Sequence, residues 1–230
     1  MITGVLTSCG RYDLLERTLK TFYDTNTIPL EKMIVVEDGA DIPVDVRAKL
    51  QRPNIEWIST GRRVGQIAAI DYAYSRVATR YIFHMEDDWH FTRPGYMERS
   101  LVVLESHPKC LQVWIRAITD TQKQPVMPHT FINHGVEWRR MAYDYINMGE
   151  WHGFSFNPGL RRLCDYVSIR GFGIHARFDP SQPGLAESAI SKLYRKRDFF
   201  AAILSDSDGI GYVRHIGKGR HVGPEGDISR

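Results

Sequence analysis

Apolar runs and amphipathic stretches alternate through the first half of the chain. Residues 2–7 are rich in β-formers and are broken by Ser8-Cys9-Gly10-Arg11-Tyr12. A helix follows, with Leu15, Leu19, Phe22 and Tyr23 on one face and Asp13 and Glu16 at capping-box spacing, closing near Asn26 ahead of Pro29. Residues 33–36 read as a second buried strand and residues 55–58 as a third, each followed by glycines. Ile67, Ile70, Tyr74 and Val77 mark another helix, and residues 81–85 form a fourth apolar run that stops abruptly at Glu86-Asp87-Asp88. Strands separated by helices or loops predict an α/β fold with a mostly parallel sheet that takes ligands at the carboxyl ends of its strands.

Three of those strand ends are polar: Thr7-Ser8, Glu37-Asp38 and Glu86-Asp87-Asp88. Adjacent acids repel one another unless a cation sits among them, and a divalent metal bridging carboxylates to a diphosphate is one solution. A solvated acidic turn, with Asp88 or Thr92 capping the helix that Pro94 opens, is the other. Neither G-x-G-x-x-G after the first strand nor G-x-x-x-x-G-K-[ST] occurs in the chain, which argues against a Rossmann dehydrogenase and a P-loop enzyme.

Composition narrows the partners. The chain has 230 residues, 43% hydrophobic and 25% charged, enough for one sizeable domain. Its 30 Lys+Arg against 27 Asp+Glu leave a formal charge of +3, too mild for a nucleic-acid binder, so an anionic partner is expected to be small. Cys9, Cys110 and Cys164 have neither metal-ligand spacing nor an even disulfide framework; reduced thiols in a cytoplasmic protein are the expectation, with Cys9 a bystander rather than a nucleophile. The first residues do not read as a signal peptide and no apolar stretch is long enough to span a bilayer, which leaves room for peripheral contact at the inner membrane face.

The ordered set "LTSCGRYDLLERTLKTF", "MIVVEDGAD" and "GRRVGQIAAIDYAYSRVATRYIFHMEDDW" resembles the nucleotide-binding half of family 2 glycosyltransferases with the GT-A fold. The resemblance implies a nucleotide-binding, Rossmann-like, mostly parallel sheet with helices on both faces and a smaller acceptor-side lobe. In one GT-A domain, residues 1–115 would bind the nucleotide sugar and residues 116–230 the acceptor. It implies nucleotide contacts from Thr7, Asp38 with Glu37 beside it, Gln66 and Asp87, and a DxD-like site in which Asp88, with Asp87, holds Mn2+ or Mg2+. It also implies a catalytic base at Glu187, at the start of a helix bearing Ile190, Leu193 and Tyr194, although Ser188 stands where the family commonly has a second acid. Helix-dipole placement alone also accounts for an acid there, at about 0.3–1 kcal/mol.

Beyond Arg116 the periodicity weakens. Phe154 and Phe156 read as core, while Trp138 and Trp151 are open between core and a platform for a sugar ring. Asn157-Pro158-Gly159 makes a turn before Arg161-Arg162, and Arg161 is a candidate for the diphosphate, against the alternative of a solvated pair. The tail "YVRHIGKGRHVG" reads as a short strand over residues 211–216 and a glycine-punctuated basic loop. There His215 is a candidate metal ligand and Arg220 a candidate diphosphate contact, with Lys218 adding charge; His221 is open between that shell and a frayed terminus.

These expectations converge on a metal-dependent glycosyltransferase moving a sugar from a nucleoside diphosphate sugar to the hydroxyl of a glycan or lipid-linked acceptor, in surface polysaccharide or glycolipid synthesis. Inversion is implied by the resemblance alone. The rivals are a metal-dependent nucleotidyl or phosphoryl transferase and an inactive carbohydrate-binding homologue.

Overall fold

A computed structural model describes residues 1–121, 124–142, 153–176, 184–206 and 208–217. In chain order the first half is β1 (Ile2–Ser8), α1 (Tyr12–Thr25), β2 (Lys32–Glu37), α2 (Val44–Leu50), β3 (Ile55–Ser59), α3 (Gln66–Tyr74), β4 (Tyr81–Glu86), β5 (Trp89–Phe91), α4 (Tyr96–Ser106) and β6 (Cys110–Trp114). The second half adds the hairpin β7 (Val126–Asn133) and β8 (Val136–Met141), then β9 (Gly159–Arg162), α5 (Leu163–Ser168), α6 (Gly184–Arg195), β10 (Phe200–Leu204) and β11 (Val213–His215). Nine strands form one sheet in the order β3-β2-β1-β4-β9-β6-β10-β8-β7, and β5 pairs with β11 in a separate ribbon.

The left part of the sheet, β3-β2-β1-β4, is parallel throughout, as the strand–helix alternation predicts. β9 then enters antiparallel between β4 and β6, and because β6 is antiparallel to β9 it regains the direction of β4. The sheet is therefore continuous from the first half of the chain into the second, and the ends of β1, β2, β4, β6 and β10 share one edge.

Alternation along each strand feeds two cores. Tyr81, Phe83 and Met85 of β4 pack with Leu15, Phe22 and Met97 of α1 and α4; Ile82 lies in the opposite core with Ile70 and Tyr74 of α3 and Ile190 of α6. Phe154 and Phe156 are buried in this second core, as their pattern predicts. Trp138 is buried too, stacked against Phe131 with ring centroids 4.5 Å apart, so it is a core residue rather than a surface for a sugar. Trp151 lies outside the described residues.

Helix α1 begins two residues ahead of the capping-box start, with Arg11 rather than Asp13 at its N-cap and no side-chain cap; the Arg11 carbonyl accepts from the N–H groups of Leu14 and Leu15. Helix α4 begins at Tyr96 behind Gly95, which has φ 95°, and Thr92 donates instead to the Gly211 carbonyl. Where β9 is wedged between two strands there is no room for a side chain at its first residue: a Cβ on Gly159 would lie 2.6 Å from the Val113 carbonyl oxygen. Gly159→Ala is expected to destabilise the fold by about 1–3 kcal/mol through overpacking, read from urea or thermal melts.

Candidate active site

The pleat sends the three acids after β4 in different directions. Glu86, the last residue of the strand, faces α3, where its Oε1 accepts from Gln66 Nε2 at 2.6 Å and its Oε2 from Trp89 Nε1 at 3.2 Å. Burial, with the charges of Asp88, Glu187 and Asp87, holds its carboxyl well above the usual range. Asp87 turns toward α1 and is fully buried; Arg11 grips both of its oxygens through Nε and Nη2, and Thr18 Oγ1 donates to its carbonyl at 2.6 Å. Burial pushes Asp87 up to about 7 against the pull of Arg11. The cation that three adjacent acids require is thus partly supplied by the chain itself.

Asp88 has a mixed environment. Its Oδ2 meets Arg11 Nη1 at 2.9 Å and His215 Nε2 at 3.2 Å, while its Oδ1 is buried without a hydrogen-bond partner. Burial would raise this carboxyl, but the His215 hydrogen bond and the Arg11 charge outweigh it and hold it below the usual range. Strand β11 brings His215 here by pairing it with Trp89, and Ile216 N donates to the Asp88 carbonyl at 2.8 Å. Gly217 then passes so close that a Cβ on it would lie 2.7 Å from the Asp88 Cβ. Among the described residues no group of three or more His, Cys, Asp or Glu side chains could hold a metal ion. What remains beside the Arg11 contact is one orphaned carboxylate oxygen of Asp88 and the His215 imidazole.

The second polar strand end lies beside the first. Asp38 accepts from Val64 N at 2.7 Å and Gly65 N at 3.0 Å, pinning the turn before α3, where Gly65 takes φ 90°. Glu37 projects to the α1 side, accepts from Gly10 N at 2.7 Å and keeps Oε2 buried without a partner; burial raises its carboxyl. Thr7, nearly buried in β1, is paired in register with Val36 and Glu86. Cys9 sits in the same loop with its thiol pushed up to about 11 by burial, which suits a bystander.

Glu187, in the first turn of α6, reaches this edge from the other half of the chain. Its Oε1 accepts from Phe156 N at 2.7 Å and Ser155 Oγ at 3.1 Å. Burial raises its carboxyl against those hydrogen bonds and against the charges of Arg161 and Arg116, and its own charge is felt at Glu86. Arg161 does not stand at the strand ends. It pairs with Ile82, four residues back from Glu86, is 3% exposed, and gives Nη2 to the Ser155 carbonyl at 3.0 Å. Arg220, Lys218 and His221 lie outside the described residues.

Two residues at the site escaped the sequence reading. Arg11 follows the end of β1, the strand beside β4, so the question of which cation sits among the acids had an answer within the chain. Arg116, 2% exposed just beyond β6, lies 4.9 Å over the Trp89 ring and binds Asp120 at 2.8 Å; an arginine directly after the apolar run "CLQVWI" was its only signal.

The model of the family described as glycosyl transferase family 2 matches residues 5–168, which spans the loop after β1, the Asp38 turn and the acid cluster. This chain belongs to glycosyl transferase family 2. Its fold, GT-A, is shared with solved structures. A mannosyltransferase, PcManGT, from Pyrobaculum calidifontis in complex with GDP-Man and Mn2+ superposes with a TM-score of 0.60 at 12% identity, over 91% of this chain and 55% of that one. TarS 1-349 from S. aureus superposes with a TM-score of 0.61 at 12% identity, over 92% of this chain and 59% of that one. The chain thus spans less than two thirds of the length of either structure. No curated protein matches the sequence. Among the described residues no helix is long and apolar enough to cross a membrane.

Proposed function

We propose that this protein transfers a sugar from a nucleoside diphosphate sugar to the hydroxyl of a glycan or lipid-linked acceptor, with inversion at the anomeric carbon. The observation that carries the reading is the placement of Glu187, in the first turn of α6, by the Phe156 N–H at 2.7 Å and the Ser155 hydroxyl at 3.1 Å, where its charge reaches Glu86 at the end of β4. Membership of the family and a fold shared with a structure that holds GDP-Man and Mn2+ support it.

In this reading the nucleoside lies over Thr7, Asp38 and the turn that Asp38 pins, with Glu37 and Asp87 fixing the loop around Arg11 from beneath. Asp88 and His215 would hold the divalent cation, Mn2+ or Mg2+, which when bound would supply Lewis-acid neutralisation of a departing diphosphate. Glu86, tied to Gln66 and Trp89, lines the floor between donor and acceptor. Glu187 accepts the proton of the acceptor hydroxyl as that oxygen attacks; burial, which lifts its proton affinity, makes it a better base than a solvated carboxylate. Attack from the side opposite the leaving group inverts the anomeric centre. Arg116 adds a desolvated positive charge on the acceptor side. We place the activity in the synthesis of a surface polysaccharide or glycolipid, at the cytoplasmic side of the membrane.

A thermal-shift screen of nucleotide sugars with and without Mn2+ tests the reading: stabilisation by a nucleoside diphosphate sugar that depends on the cation supports it, and indifference to every donor contradicts it. Asp88→Asn is expected to weaken the cation-dependent binding of the nucleoside diphosphate at least about tenfold, or 1.4 kcal/mol. Calorimetry with the cation and with a chelator checks this; equal affinities in the wild-type protein would remove the metal from the site.

A further inference from the structure

Arg161 is a buried cation in an unusual setting. It occupies the middle of β9, between β4 and β6, with its guanidinium 5.5 Å over the Phe154 ring and close to His84 and Tyr74. Neither neighbour offers it a negative charge. Burial keeps the Tyr74 hydroxyl protonated, pushed up to about 12, and burial together with the Arg161 charge keeps the His84 imidazole neutral. A guanidinium taken out of water at such a place is costly unless good geometry and an opposite charge offset the loss.

Arg161 Nε and Nη1 are buried without a hydrogen-bond partner, and the bond that Nη2 does make leads toward Glu187. Arg161 Nη2 donates to the Ser155 carbonyl at 3.0 Å, and with the Gln112 amide turned to satisfy its neighbours, its nitrogen donates to the same carbonyl at 3.2 Å. Ser155 Oγ and Phe156 N in turn donate to Glu187 Oε1. One short segment is therefore clamped on one side by Arg161 and presents two donors to Glu187 on the other. The carboxylate also lies within the field of Arg161, along with that of Arg116 beyond β6 and the opposing charge of Glu86 at the end of β4.

We propose that Arg161 is a positioning residue for Glu187: it fixes residues 154–157 through the Ser155 carbonyl and so holds in place the two donors that Ser155 and Phe156 present to the Glu187 carboxylate. The inference rests on the reading of Glu187 as the base only for its consequence in catalysis; the structural link stands apart from it. It replaces the expected role of Arg161 on the diphosphate with one behind the base.

The test is the titration of the Glu187 side-chain carboxyl by carbon-13 NMR, its signal assigned by its loss in Glu187→Gln. Arg161→Met removes the charge while keeping apolar volume, a change that buried ion pairs often tolerate. It is expected to move the Glu187 titration upward by about one unit or more, the range for loss of a nearby opposite charge, and Arg161→Lys is expected to restore it toward the wild type. Arg161→Gln gives the same reading should the methionine variant fail to fold. In sugar transfer the acidic limb of kcat should move with the NMR titration while KM for the donor stays unchanged. A folded, uncharged variant whose Glu187 titrates as in the wild type overturns the proposal, as does a lysine variant that behaves like methionine. If Glu187→Gln leaves transfer intact, the base assignment fails, yet the NMR result still decides whether Arg161 governs Glu187.

Discussion

Glu187→Gln is expected to lower sugar-transfer turnover by about 10²–10⁴-fold, the range for a lost general base, while leaving nucleoside diphosphate affinity unchanged. The amide oxygen of glutamine can still accept from Phe156 N and Ser155 Oγ, so the segment that holds position 187 keeps its hydrogen bonds. What disappears is the capacity to take a proton. Circular dichroism separates this outcome from a folding defect, because a residue serving only to complement the α6 dipole would lower the melting temperature and spare kcat. The pH profile gives an independent sign. The base works ionised, so turnover falls as pH drops through its pKa, and burial places that limb above the ordinary glutamate range.

Arg11→Ala should cost about 3–5 kcal/mol of fold stability, because it strands a buried carboxylate. Asp87 is 0% exposed, and both of its oxygens are held by Arg11. Even with that partner, burial pushes its pKa up to about 7; without it, the folded state holds the Asp87 proton more tightly still. The unfolded chain releases that proton near the ordinary value, so the folded variant loses stability as pH rises from acid toward neutrality and beyond. The deficit relative to the wild type is therefore larger at about pH 8 than at about pH 5. Urea melts at the two pH values measure it. A deficit under about 1 kcal/mol at both, typical of a solvent-screened pair, would mean that the Arg11–Asp87 contact does not anchor the β1 loop.

The pattern of the first ninety or so residues carried most of the left half of the sheet, since residues buried on both faces in parallel strands leave unmistakable apolar runs: "MIVV" became β2 and "YIFHM" became β4. The acid cluster and the Asp38 turn were legible because carboxylates are out of place directly after apolar strands; Glu187, an ordinary acid in a helix's first turn, stood out only through the family resemblance. Long-range pairing was not. Nothing local says that "GLRR" inserts antiparallel between β4 and β6, yet that insertion turns Arg161 from a surface candidate into a buried one. Trp138 was ambiguous for the same reason, its stacking partners Phe131 and Phe200 coming from different parts of the sheet. Arg11 was hidden by its ordinary context in a polar loop; only the adjacency of β1 and β4 shows that it stands among the acids.

The central claim is that the edge of this sheet cleaves the sugar from a nucleoside diphosphate. Incubation of the protein with a panel of nucleotide sugars and Mn2+, followed by mass spectrometry of the products, tests it directly. The account predicts release of a nucleoside diphosphate with one preferred donor, accompanied by transfer or slow hydrolysis of its sugar, and strong suppression of that release in Glu187→Gln. Release of pyrophosphate when nucleoside triphosphates and sugar phosphates are supplied, with no nucleoside diphosphate formed from any donor, would contradict it and identify a nucleotidyl transferase instead.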